Sequence, residues 1–205
     1  MNNTIRKPGP VFLAMARAAY DMGRMLFLTK YKFDDAFIGA DFLYRVNDDT
    51  EFLSLWASSF VYALIQLPPP FGAVGPLSYG TDNRILTHDF VHRTHMEVFE
   101  MKYYPPEFTD WWCDDWISTV YGPGRTFSGD LVLVSHHTGA HGQRYDVDFS
   151  VEKKLESLIT SGRASIRKWM VQHKRPLAEL AAFEKETSTG GWFARKSAPV
   201  YENKL

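Results

Sequence analysis

Three consecutive prolines, Pro68-Pro69-Pro70, constrain this chain more than any other feature. Each ring fixes φ and removes a backbone N–H, so neither a helix nor a central strand passes through them. Residues 54–67 carry apolar side chains at helical spacing and are predicted as a helix that stops there. Gly122-Pro123-Gly124 sets a second stop, closing a helix predicted over 113–121. Around these stops the segments are short and alternate in type. Residues 11–20 read as a helix with Phe12, Met15, Ala16 and Ala19 on one face. Residues 40–46 are apolar and aromatic and end abruptly at Asn47-Asp48-Asp49, as a buried strand running into an acidic turn does. Strands are expected over 71–77, 131–137 and 145–149, and a helix N-capped by Thr87 over 87–100. A long amphipathic helix is expected over 150–173, with Leu155, Leu158, Ile159, Ile166 and Met170 apolar among charged neighbours. Residues 78–84, 103–110 and 137–142 read as loops. The alternation predicts an α/β domain over residues 1–175, followed by a polar, loosely structured tail over 176–205.

A chain of 205 residues, 45% hydrophobic, is large enough for one domain with a substantial core. Its net charge of -1 and absence of basic runs argue against nucleic acid as a partner. The polar start, Met1 to Pro10, does not read as a signal peptide, and no apolar run is long enough to span a bilayer. A single cysteine, Cys113, rules out an intrachain disulfide and fits a reducing compartment. These features together favour a soluble, cytoplasmic chain.

Four clusters carry candidate chemistry. Tyr44-Arg45-Val46-Asn47-Asp48-Asp49-Thr50-Glu51 places adjacent carboxylates at a strand end, where ligand sites of open α/β sheets lie. Asp48 and Asp49 suit a hard cation and a diphosphate, although the same residues also suit an Asx turn or a helix cap. Trp111-Trp112-Cys113-Asp114-Asp115-Trp116 sets two acids among three indoles. An acid in apolar surroundings suits a general base, and at a helix start it also complements the dipole. Ser135-His136-His137-Thr138-Gly139-Ala140-His141 offers three histidines, one of which can complete a metal site; loop histidines facing solvent are the plain alternative. His88 and His92, one helical turn apart if the segment is helical, make zinc conceivable, but the glutamate pattern of a zinc peptidase is absent. Arg84 and Arg93 are candidate phosphate or carboxylate contacts.

Taken in order, the run Tyr44 to Glu51, then Gly72-Ala73-Val74-Gly75-Pro76, Thr87-His88-Asp89-Phe90-Val91-His92-Arg93-Thr94-His95, Tyr104-Pro105-Pro106-Glu107-Phe108-Thr109-Asp110-Trp111-Trp112, Asp114-Asp115-Trp116 and the late histidine loop resembles GT-A glycosyltransferases of algae, other protists and the chlorella viruses, where such enzymes decorate the capsid glycan. The resemblance spans roughly residues 8–173. It implies a GT-A-like mixed sheet flanked by helices. It also implies transfer of a sugar from a nucleotide-sugar donor, UDP-linked by analogy, to a glycan or other hydroxyl acceptor, with inversion. Mn²⁺ or Mg²⁺ would be held by Asp48 and Asp49 together with one of His136, His137 and His141. Asp114 or Asp115 would be the base, with Asp115 preferred. Arg45, Asn47, Arg84, Trp111 and Trp112 would bind substrate. Two departures accompany it. Nothing before Ala40 supplies the strand–helix–strand unit that holds the base and ribose, so the domain is expected to be N-terminally truncated. Residues 24–39 read as an insertion, since removing them joins Gly23 to Ala40 as the family pattern does. The truncation keeps two alternatives open: a non-catalytic remnant that binds a glycan or partner, and a two-carboxylate glycoside hydrolase.

Overall fold

The computed structural model describes residues 8–25, 41–67, 70–81, 83–137, 148–188 and 196–197. In chain order the elements are α1 (Pro8–Met25), β1 (Phe42–Arg45), β2 (Thr50–Phe52), α2 (Ala57–Ile65), β3 (Ala73–Tyr79), β4 (Asp89–His92), α3 (Thr94–Val98), α4 (Cys113–Val120), β5 (Thr126–His136), α5 (Phe149–Glu152), α6 (Leu155–Gln172), α7 (Leu177–Ser188) and β6 (Lys196–Ser197). The strands form one mixed sheet in the order β1-β4-β3-β5-β2, with β6 also on β5. Strands β3 and β5 run parallel, and β1/β4, β3/β4 and β2/β5 are antiparallel. The fold is therefore mixed α/β. Among the described residues no helix is long and apolar enough to cross a membrane.

Each central strand feeds two cores, because successive side chains leave a strand on opposite faces. Leu43, Ala73 and Val91 enter the larger core, with Ala16 and Tyr20 of α1, Trp116, Ile117 and Val120 of α4, and Ile166, Trp169 and Met170 of α6. Their neighbours Phe42, Tyr44, Val74 and Phe90 enter the second core, under Phe60, Ala63 and Leu64 of α2. Helix α2 buries those three positions at i, i+3 and i+4 and ends at Ile65, three positions before Pro68. Helices α4 and α6 cross at Gly162, where a Cβ would lie 2.6 Å from Val120 Cγ2 and 3.1 Å from Trp116 Cζ2. Only glycine allows that approach.

The sheet is curled by its own connectivity. Strands β1 and β2 stand at opposite ends of the strand order, yet only residues 46–49 join them. Laid flat, four inter-strand steps would separate them by about 19 Å. Five extended residue steps reach only about 18 Å, and residues 48–49 form a turn. The sheet has to bend its two edges toward each other, and the acidic turn lies where they meet. The register break between Pro76 and Leu77, opposite β5, helps it do so.

Three expectations are corrected. The helix expected over 87–100 is β4 followed by the short α3. Pairing of β4 with both β1 and β3, with Phe90 and Val91 buried on opposite faces, overrides the helical reading. The loose tail expected from residue 176 contains α7, which buries Phe183 and ties Glu179 to Arg125 and Arg175. One buried aromatic on a mostly polar helix gave too weak a sequence signal. The long helix expected over 150–173 is divided into α5 and α6. The expected insertion at 24–39 lies outside the described residues beyond Met25, where α1 ends. Of the strand expected over 145–149, residues 145–147 also lie outside them, and Phe149 opens α5.

His95 of α3 sits at the centre of the larger core, 1% exposed. Its Nε2 donates to the Tyr103 carbonyl at 2.7 Å, so Nδ1 accepts from the Tyr121 hydroxyl, also at 2.7 Å. Burial lowers its pKa to about 4. The folded state thus refuses a proton that the unfolded chain takes near pH 6.5. Its contribution to stability is complete above pH 6.5 and is lost as pH falls toward 4, a change of about 3 kcal/mol. Urea titrations of wild type and His95→Gln across this range should show their stability difference shrinking as pH falls. A difference independent of pH would contradict this account.

Candidate functional site

The site begins with a buried cation. Arg45, last residue of β1, is 8% exposed and faces Asp89, its register partner on β4. Its Nε donates to Asp89 Oδ2 at 2.8 Å and Nη2 lies 2.7 Å from the same oxygen. Nη2 also reaches Asp114 Oδ1 at 2.6 Å, and Nη1 donates to the Thr87 carbonyl at 2.7 Å. Asp89 in turn accepts from the Tyr103 and Tyr104 hydroxyls at 2.7 and 2.6 Å. Burial works against the charge on Arg45, but Asp114, Tyr104 and Asp89 outweigh it and hold its pKa above the ordinary value. Arg45 was expected to bind substrate; the structure turns it inward, where carboxylates and carbonyls occupy its donors.

Asp114 lies in the first turn of α4. Burial pushes its carboxyl up to about 6, against the pull of Arg45 and with the help of Asp89. Its side chain keeps 30% of its surface open, so water reaches it. Asp115, the preferred base, is half-buried at the next helical position; the carboxylate that meets Arg45 is Asp114's. Trp112 caps this helix in the left-handed region, φ 73°, with its Nε1 donating to the Asp148 carbonyl at 3.2 Å. Trp111 is 43% exposed beside it. Arg84 is exposed in the loop after β3, and Arg93 is buried with its guanidinium over the Tyr20 ring.

The acidic turn and the histidine segment meet. His136, last residue of β5, places Nε2 3.0 Å from Asp49 Oδ1 and 3.1 Å from Asn47 Nδ2. Asp48 is exposed on the same turn. His137 points to the other side of the strand, where Nε2 lies 3.2 Å from Glu51 Oε2. Of the three candidate histidines, then, His136 faces the turn, His137 does not, and His141 lies outside the described residues. Among the described residues no three His, Cys, Asp or Glu side chains converge on one point.

Behind this pair stands His88, fully buried, with its ring edge-to-face against His136 at 5.0 Å between centroids. Burial, Arg45 and His136 lower its pKa to about 3. His88 immediately precedes β4 and His92 ends it, roughly 13 Å away along the extended chain, and they bond Thr50 and Thr94 respectively, so one zinc ion does not bridge them. Sequence reasoning missed Asp89 and Tyr104 as partners of Arg45, and Tyr103 as a donor to Asp89. The available signal was Arg45 itself: an arginine in a buried strand requires a buried carboxylate.

No protein-family model, curated protein or solved structure matches the chain.

The cluster predicts unequal costs for its two acids. Asp89→Ala strands a buried guanidinium and two tyrosine hydroxyls, and should cost about 3–5 kcal/mol. Asp114→Ala leaves Asp89 in place and opens to water, and should cost about 1–2 kcal/mol. Urea unfolding of both variants checks the order; equal costs would show that Asp89 is not the principal counter-ion.

Proposed function

We propose that this chain is a metal-dependent glycosyltransferase of the GT-A type, taking a nucleotide-sugar donor and a hydroxyl acceptor. The observation that supports this most is the Asp49–His136 pair. An acid of the strand-end turn and a late histidine, the two residue types the resemblance implies for the metal, lie 3.0 Å apart although 87 residues separate them. With ligand bonds of about 2.1 Å, neighbouring donors of an octahedral ion are about 3.0 Å apart, so the pair fits two corners of one coordination shell. Asn47 Nδ2 lies 3.1 Å from the same His136 nitrogen, and since a neutral imidazole nitrogen has one lone pair, an ion bound there would take the place of that contact.

In this reading Asp49 and His136 hold Mn²⁺ or Mg²⁺, and the exposed Asp48 stands at the donor diphosphate. Bound there, the ion supplies Lewis-acid neutralisation of the departing diphosphate. Asp114, ionised above pH 6 and open to water on one side, takes the proton of the acceptor hydroxyl, and Arg45 fixes its carboxylate. Asp115, the base preferred from the sequence, takes second place here, because it is Asp114 that meets Arg45. Attack opposite the leaving group inverts the anomeric centre. Trp111 offers an exposed ring face to a sugar, and Arg84 a charge to phosphate. The ion pair between Arg45 and Asp114 also favours a second reading, a remnant that binds a glycan or partner without turnover, because it occupies one oxygen of the base.

Calorimetry with UDP and Mn²⁺ tests the metal reading. Wild type should bind UDP only with Mn²⁺ present, and Asp49→Ala and His136→Ala should each abolish that dependence. UDP binding unchanged by EDTA and by both variants would remove the assignment. For turnover, kcat should fall about tenfold per pH unit below pH 6 as Asp114 takes up its proton, and Asp114→Asn should lose kcat with donor KM little changed. Metal-dependent binding with no transfer at any pH would leave the remnant reading.

A further inference from the structure

We infer that His88 is the positioning residue of the Asp49–His136 pair, acting through Thr50 and through the His136 ring; this rests on the metal reading above. His88 is fully buried and touches the acidic turn from behind. Its Nε2 lies 2.7 Å from Thr50 Oγ1 and its Nδ1 3.1 Å from Thr87 Oγ1. A neutral imidazole has one N–H and one lone pair, and two hydroxyls, each able to donate or accept, satisfy both.

Thr50 is a well-placed handle. It follows Asp49 directly, and it is the cross-strand partner of His136 in the β2–β5 ladder. Fixing the Thr50 side chain therefore fixes the start of β2 beside both members of the pair. The edge-to-face contact between the His88 and His136 rings supplies a second constraint, limiting rotation of His136 about its side-chain bonds. His88 is itself held from two sides. Its carbonyl abuts Gly75 of β3 so closely that a Cβ at position 75 would collide with it. Its neighbour Asp89 is locked to Arg45. The middle of the sheet thus reaches the acidic turn through one imidazole. Partners behind a metal ligand set its orientation, and their loss typically costs about 10–100-fold in metal affinity.

The test uses the full chain, with Mn²⁺ titrated against UDP-saturated protein by calorimetry. His88→Phe keeps a ring but loses both hydrogen bonds, Thr50→Val keeps the shape but loses the hydroxyl, and His88→Gln restores a polar group near Nε2. His88→Phe and Thr50→Val should each weaken Mn²⁺ binding by about 10–100-fold. The double variant should be little worse than the weaker single one, because both remove the same contact. His88→Gln should recover most of the affinity. A merely structural role would lower the urea midpoint and leave the Mn²⁺ Kd alone. Wild-type Kd in folded His88→Phe, or in Thr50→Val if His88→Phe does not fold, overturns this inference while leaving the metal reading intact. Absence of Mn²⁺-dependent binding in wild type overturns both.

Discussion

A guanidinium removed from water must be surrounded by opposite charge and hydrogen-bond acceptors, or the fold that buries it is not stable. Arg45 meets that requirement with groups drawn from three separate places in the chain. Asp89 comes from the neighbouring strand, Asp114 from the start of α4, and Tyr104, with Tyr103 behind it on Asp89, from the irregular segment between α3 and α4. The cluster pins the strand that delivers the acidic turn to the helix that delivers the candidate base. Loss of Asp89 deprives the guanidinium and both tyrosine hydroxyls of their shared partner, whereas loss of Asp114 leaves Asp89 in place on Arg45.

The curl of the sheet converts this anchoring into a site. Residues 46–49 have to carry the chain from one edge of the strand order to the other, and Asp48 and Asp49 lie within that crossing. The crossing passes the end of β5, which brings His136 to Asp49. Residues in regular strands thus hold the histidine, and a short turn tethered at both ends holds the acid. The proposed metal and diphosphate chemistry would suit such an arrangement, because the acid and the histidine are preset and Asp48 on the turn is exposed.

Much of the fold was legible where local punctuation decides it. Pro68 and the glycines after Tyr121 stop helices whatever the rest of the chain does, and α2 and α4 fall close to their expected limits. Strand β4 was not legible, because its state depends on having β1 on one side and β3 on the other. Helix α7 was hidden by its polar face. In the site, the residue types were readable but their directions were not. Nothing in Arg45 itself says that it turns inward; Asp89 opposite decides that. The choice between His136 and His137 is a question of strand parity, and the parity is set by the pairing of Thr50 with His136.

Strand β5 has a further consequence, in the order of assembly. It lies between β3 and β2 and also carries β6, so the sheet has no continuous middle without it. Its parallel pairing with β3 joins positions such as Ala73 and Thr126, distant in sequence, and closing such loops is what slows the folding of non-local topologies. On a ribosome adding about 5–20 residues per second, Asp49 is made about 4–17 seconds before His136. During that interval the first strands wait with open edges, and the acidic turn has no partner to hold its shape. The Asp49–His136 contact therefore waits for β5, and until that strand emerges the edges of β3 and β2 that it covers stay open to wrong pairing.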